Sequence, residues 1–214
     1  MYKPKAFTED RQEVLLEHIL KYPLGTLISQ DDSGITANLI PFSLHLDEER
    51  PVLRCHLARA NPQIESLQNG REVLVIFNGP QNYISPNLYP TKKADGKAVP
   101  TWNYSTVQVR GTPVVMEDPK WILQQITDLT KAQEKDSEHP WQVSDAPQTY
   151  ILGQLKAIIG FEIPIEKIDG KFKVSQNQPE INRVSLERHF RQIGETQMAD
   201  FISQRGPRKP EEPA

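Results

Sequence analysis

One cysteine, Cys55, stands among 214 residues, which excludes an intrachain disulfide framework and any multi-thiolate zinc site. No apolar run approaches the ~20 residues a bilayer-spanning helix needs. The opening "MYKPKAFTED" has no apolar signal-peptide core. Nor is there an excess of one charge: 25 Lys+Arg against 28 Asp+Glu leave a net charge of −3. That balance attracts neither a phosphate backbone nor an anionic membrane, so any nucleic-acid contact must come from a local patch. A cytoplasmic protein with no membrane association is the expectation.

The common signatures of catalysis are missing as well. His18, His45, His56, His139 and His189 are scattered, with no His-x-x-x-His pair and no carboxylate cluster at ligand spacing, so no metal centre is expected. Neither a G-x-S-x-G elbow nor a G-x-x-x-x-G-K phosphate loop occurs. Cys55 and His56 are strand neighbours pointing to opposite faces, which reads Cys55 as inert.

Proline is what the chain has in plenty, with 18 residues. Proline cannot donate to a sheet ladder or sit inside a helix, so many short elements and shaped loops are expected. "TEDRQEVLLEHILKYP" predicts a first helix with Thr8 as its cap and Pro23 as its stop. A hairpin follows, with strands at 24–29 and 35–46 around an Asp-rich turn ending in Gly34. "PVLRCHLARANP" is a third strand, 63–69 a short helix, and "EVLVIFNGP" a central strand, apolar nearly throughout.

A proline-broken aromatic segment then leads to a strand over 105–116. Asp118 and Pro119 open a helix over 118–133, and a second helix near 148 runs toward a strand. "KIDGKFKVSQN" reads as a last hairpin, 179–204 as one C-terminal helix, and "RGPRKPEEPA" as a solvated tail. Many strands with helices at the ends and in a late insertion suggest a small β-barrel with α additions.

Three polar clusters sit at strand ends. His56, Arg59 and Asn61 in "HLARAN" project from one rim, where Arg offers a planar fork of donors suited to phosphate. A surface ion pair for Arg59 reads the same residues equally well. Trp102, Asn103 and Tyr104, with Tyr83, Ser85 and Tyr89 upstream, suit a flat heterocycle as stacking surface and ring-edge partner, while Lys92, Lys93 and Lys97 read as a solvated loop. Core packing at a barrel corner is their alternative. In "KFKVSQN", Lys171, Lys173, Ser175 and Asn177 share one face of a strand, either a solvated face or the wall of a ligand site.

"MYKPKAF", "HLARANPQ", "YISPNLYP", "VPTWNY", "PWQVSDAP" and "GKFKVSQNQP", in this order from Met1 to Arg191, resemble the PaiB family of FMN-binding negative transcriptional regulators. Asn87 and Leu88 depart from that pattern, which favours a small residue and Trp there. The resemblance implies a mainly β chain with α additions: a six-stranded antiparallel split β-barrel over 1–191, with a helical insertion around 118–160, followed by a helix end and tail over 192–214. It further implies a homodimer with FMN in clefts at the subunit interface. His56, Arg59 and Asn61 would approach the phosphate and ribityl chain, Trp102, Asn103 and Tyr104 would line the isoalloxazine, and Lys173, Gln176 and Asn177 would close the cleft.

The function implied is transcriptional repression, direct or indirect. The alternatives are an FMN-dependent oxidoreductase, similar to flavin reductases or pyridoxamine-phosphate oxidase, and a haem-binding split barrel with His56 or His189 as the axial ligand. No residue is poised as an acid or base, but a flavin supplies its own redox chemistry, so enzymatic activity stays open. Arg183, Arg188 and Arg191 are interrupted by Glu180, Glu187 and Glu195 and no helix-turn-helix pair is present, so direct DNA contact is the less favoured route.

Overall fold

In "LGTLISQD" the side chains alternate between buried Gly25, Leu27 and Ser29 and more exposed Leu24, Thr26 and Ile28, the period of two that a half-buried strand imposes. Repeated along the chain, such stretches make a mainly β protein with helices between and after the strands. The computed structural model describes residues 1–46 and 50–205. The solvated tail expected after Arg205 lies outside the described residues.

In chain order the elements are β1 (Thr8–Glu9), α1 (Gln12–Lys21), β2 (Leu24–Asp31), β3 (Gly34–Pro41), β4 (Ser43–Leu46), β5 (Pro51–Ala58), α2 (Gln63–Leu67) and β6 (Val73–Ile84). Then come α3 (Lys92–Asp95), β7 (Thr101–Gly111), β8 (Val114–Met116), α4 (Pro119–Glu134), α5 (Gln148–Lys156), β9 (Ile158–Pro164), β10 (Lys167–Lys173), α6 (Glu180–Gln192) and α7 (Thr196–Gln204). The described residues divide between two compact units, one holding 1–15, 78–107 and 169–205, the other 16–46, 50–77 and 108–168. Strands β6, β7 and β10 and helix α1 have residues in both.

The second unit contains strands in the order β6-β2-β3 and the four-stranded sheet β4-β5-β9-β8. The β2–β3 hairpin pairs antiparallel from Leu24↔Pro41 to Asp31↔Gly34. Asp31 closes its turn by accepting the Ser33 N–H and hydroxyl, and Gly34 supplies the positive φ of 130°. Leu27, Phe42, Leu53, Cys55, Phe77 and Phe161 are fully buried. Helix α4 starts as expected, with Asp118 accepting the Lys120 N–H and Pro119 in the first turn. Its Trp121 lies against Gly160, where a side chain would collide with the indole.

In the first unit the strand order is β1-β10-β7-β6, backed by a cluster of Ile84, Tyr89, Val174, Leu186, Phe190, Met198, Ala199 and Ile202. Four local expectations change here. Thr8 is a strand residue paired with Lys171, and α1 begins at Gln12. The last hairpin is replaced by the single strand β10, paired with β1. The C-terminal helix is two helices, because Gly194 adopts φ 82° and the Glu195 N–H turns back to the Phe190 carbonyl. Finally, β7 starts at Thr101, so the aromatics belong to the strand itself.

Candidate functional site

Pro100 is the last residue before β7, and because a proline preceding a strand forfeits no ladder hydrogen bond, Thr101–Gly111 runs unbroken. Trp102 and Tyr104 therefore share one face of the strand and Asn103 the other. Trp102 is 54% exposed and meets the Tyr83 ring edge-to-face at 5.9 Å. Lys171 on β10 places its ammonium 5.5 Å from the Tyr104 ring centroid and 5.5 Å from that of Tyr2, within cation–π range. This is a half-open aromatic surface edged by cations.

On the other side Asn103 is completely buried. Its Oδ1 accepts the Ser175 hydroxyl at 3.0 Å, and its Nδ2 has no hydrogen-bond partner among the described residues. Lys173 donates to Thr101 Oγ1 at 2.6 Å and to the Trp102 carbonyl at 2.5 Å. Burial, then the nearby Lys171 charge, holds its pKa below the usual lysine value. Asn103, Lys173 and Asn177 line a cleft of about 240 Å³ within this unit, together with Thr91, Ser175 and Asn182. Gln176 turns away from it: its Oε1 accepts the Val174 N–H and its Nε2 donates to the Phe172 carbonyl, so its amide closes the turn after β10.

The second unit carries the other predicted group. His56 lies on β5 with Nδ1 at 2.8 Å from Gln125 Oε1. With that oxygen facing it, Nδ1 donates and Nε2 is left an acceptor. Arg59 follows the strand, half-exposed, with Nη1 at 3.3 Å from Glu117. So exposed a pair contributes about 0–1 kcal/mol, and the rest of the guanidinium fork is uncommitted by it. Asn61 is occupied locally, its Oδ1 accepting the Gln63 N–H at the start of α2. His189 sits on α6 in the first unit with its ring edge-on to Phe190.

The sequence reading passed over Asn182 and Thr91. Asn182 is buried, binds Thr91 and Gln178, and helps form the cleft floor. Its one signal is a short amide amid the apolar positions 181, 184 and 186 of α6. Cys55 is buried, and burial pushes its thiol pKa far up, so it is inert. Among the described residues no three His, Cys, Asp or Glu side chains could share a metal ion, and no helix is long and apolar enough to cross a membrane.

The chemistry of these side chains fits a flavin mononucleotide. In the first unit an exposed indole–phenol pair offers a stacking surface for a flat ring, and in the second unit the Arg59 guanidinium suits a phosphate. The bound flavin would supply the electron-transfer chemistry, and the protein the binding and orientation.

Known proteins agree. An uncharacterized protein of Emericella nidulans is 34% identical over 248 aligned positions, covering 98% of this chain and 99% of that one. A Bacillus subtilis protein named Protease synthase and sporulation protein PAI 2, a PaiB homologue, is 27% identical over 186 positions, 87% of each chain. The solved structure of an FAD and heme binding protein from Mycobacterium smegmatis superposes with a TM-score of 0.59 at 15% identity, over 78% of this chain and 73% of that one. It shares the split-barrel fold. The family model described as "Putative FMN-binding domain" matches residues 1–167, and this chain belongs to that FMN-binding split-barrel family.

Proposed function

We propose that the chain is a cytoplasmic, homodimeric FMN-binding regulator of the PaiB type, with residues 1–191 as its flavin-binding domain, 118–160 as a helical insertion and 192–214 as an appendage. The aromatic surface on the open side of β7 carries this reading. Trp102 and Tyr83 are both more than half exposed and meet edge-to-face at 5.9 Å, with the Lys171 ammonium over the Tyr104 ring, and a flat heterocycle would cover these rings by stacking. In the second unit Arg59, His56 and Asn61 are the groups proposed for a phosphate and ribityl chain, and in the first unit Lys173 and Asn177 are those proposed for the ring's surroundings; Gln176, whose amide closes the turn after β10, is left out.

The regulatory role draws on the resemblance to the PaiB family set out above; the Bacillus subtilis relative is named for protease synthesis and sporulation. An indirect route is favoured over DNA contact, because Arg191 is bound to Glu187 and Asp200 and Arg183 donates to the Ile202 carbonyl. The homodimer is supported by the outer face of β3-β2-β6 in the second unit. There Leu24, Ile35 and Leu39 are exposed and Ile28, Leu74 and Ile76 are only half-buried, an apolar surface of the kind partners cover.

Titration of the purified chain with FMN, followed by flavin fluorescence and absorption, tests the reading. Saturable quenching that weakens in Trp102→Ala is the expected result. A chain that leaves FMN fluorescence untouched refutes it. An FMN-dependent oxidoreductase is a second reading, favoured by the cleft below β7, which has room for a small second molecule.

A further inference from the structure

We infer that the cleft formed by Asn103, Lys173, Ser175 and Asn182 in the first unit is a site for a small oxyanion, the carboxylate or phosphate of a second ligand taken up alongside the flavin. The words "alongside the flavin" rest on the function proposed above; the anion site stands on the cleft itself.

Among the described residues that line the cleft none is acidic, and Lys173 and Lys97 are both there. Lys173 holds two neutral oxygens, Thr101 Oγ1 and the Trp102 carbonyl, and no carboxylate pairs with it among the described residues. Burial and the Lys171 charge disfavour its ammonium, a penalty that an arriving anion would offset. A bound oxyanion would also meet a ready hydrogen-bond donor, the unpartnered Asn103 Nδ2.

The floor is built rather than incidental. Asn103, Ser175 and Asn182 are each more than nine-tenths buried. Asn182 is locked by Thr91 and Gln178, and Ser175 locks Asn103 by donating to its Oδ1, which turns the amide N–H₂ away from Ser175. To reach that position Ser175 adopts φ 63°, alone among the described non-glycine residues in having positive φ. Left-handed backbone is disfavoured at such a residue, and strain of this kind gathers at ligand clamps.

The test uses the full ¹⁵N-labelled chain, titrated with inorganic phosphate and separately with acetate, before and after saturation with FMN. The expected result is movement of the Asn103 side-chain amide resonances by at least one anion in both forms. Affinity should fall roughly 10- to 100-fold in Lys173→Met, the worth of a charge-assisted hydrogen bond, and return in Lys173→Arg. Lys97→Met should weaken the anion while leaving FMN affinity where it was. Whichever anion binds tighter names the head group.

Resonances that neither anion moves, or that move equally in Lys173→Met, overturn the proposal. So does competition in which FMN, but not riboflavin, displaces phosphate, because the cleft would then hold the flavin's own phosphate. A chain that binds no FMN at all defeats the flavin reading, and the flavin-free titration still decides the anion site.

Discussion

If a second copy covers the outer face of β3-β2-β6, then replacing Leu39 by glutamate should separate the copies without unfolding either one. Leu39 is 65% exposed in the single chain and lies on the same outer face as Ile35, which is 72% exposed. Full burial of a leucine side chain is worth about 1.5–3 kcal/mol, so the exposed share of Leu39 would contribute about 1–2 kcal/mol on being covered. A two-fold interface uses the same patch on both copies, so each substitution counts twice, about 2–4 kcal/mol. Dimer dissociation should then rise roughly 30- to 700-fold from lost burial alone, with desolvation of the two carboxylates adding to it. The folded monomer should barely notice, since substitutions at exposed sites usually stay within about 0.5 kcal/mol. Sedimentation equilibrium against protein concentration, paired with urea unfolding of the monomeric fraction, separates the two effects. A wild-type chain that is monomeric throughout, or a Leu39→Glu chain that associates as tightly as wild type, refutes the assignment of this face.

Arg59→Ala should weaken FMN roughly 10- to 100-fold if the guanidinium meets the phosphate; an unchanged fluorescence titration leaves Arg59 as the partner of Glu117 and nothing more. Glu9 gives a pH prediction. Burial would raise its carboxyl pKa, but hydrogen bonds from Arg11 and Arg205 outweigh that and hold it at about 2, below the ordinary 4.5. A depressed carboxylate stabilises the fold above its unfolded pKa and loses that share as pH falls toward the folded one. About 3 kcal/mol should therefore disappear between roughly pH 5 and pH 2, and Glu9→Gln should flatten that part of the urea-midpoint profile. Gly160→Ala would put a Cβ 2.4 Å from the Trp121 ring. The helix α4 must shift off β9, at about 1–3 kcal/mol, visible as a lower Tm with α-helical content kept.

The parts of the fold that could be read from sequence are those decided by neighbours in the chain. The β2–β3 hairpin was legible because Asp31, Ser33 and Gly34 settle the turn locally and the flanking residues alternate. The start of α4 was legible because Asp118 caps it two residues ahead. Thr8 shows the limit. As a residue it suits a helix cap, yet its partner is Lys171, far along the chain, and no local pattern reveals a pairing of that kind. Gly194 was a visible break, but with apolar residues continuing on both sides the helical period ran through it. Its φ of 82° ends the first helix in a left-handed cap.

The candidate site divides along the same line. Trp102, Asn103 and Tyr104 stood out by residue type, and the prolines before them suggested a loop that would splay all three toward one ligand. A strand does the opposite, because its period of two separates Asn103 from its aromatic neighbours. That separation assigns different chemistry to the two faces. The open side, with Trp102, Tyr83 and Lys171, can hold a flat ring by its surface, where hydrogen bonding is weak and affinity comes from apolar contact. The closed side, with Asn103, Ser175 and Asn182, can discriminate only by hydrogen bonds, because buried polar groups left unmatched penalise any ligand lacking the right partner. One strand thus separates a surface that binds from a cleft that selects, and substitutions at Trp102 should alter how tightly flavin is held while those at Asn103 alter which ligands are accepted.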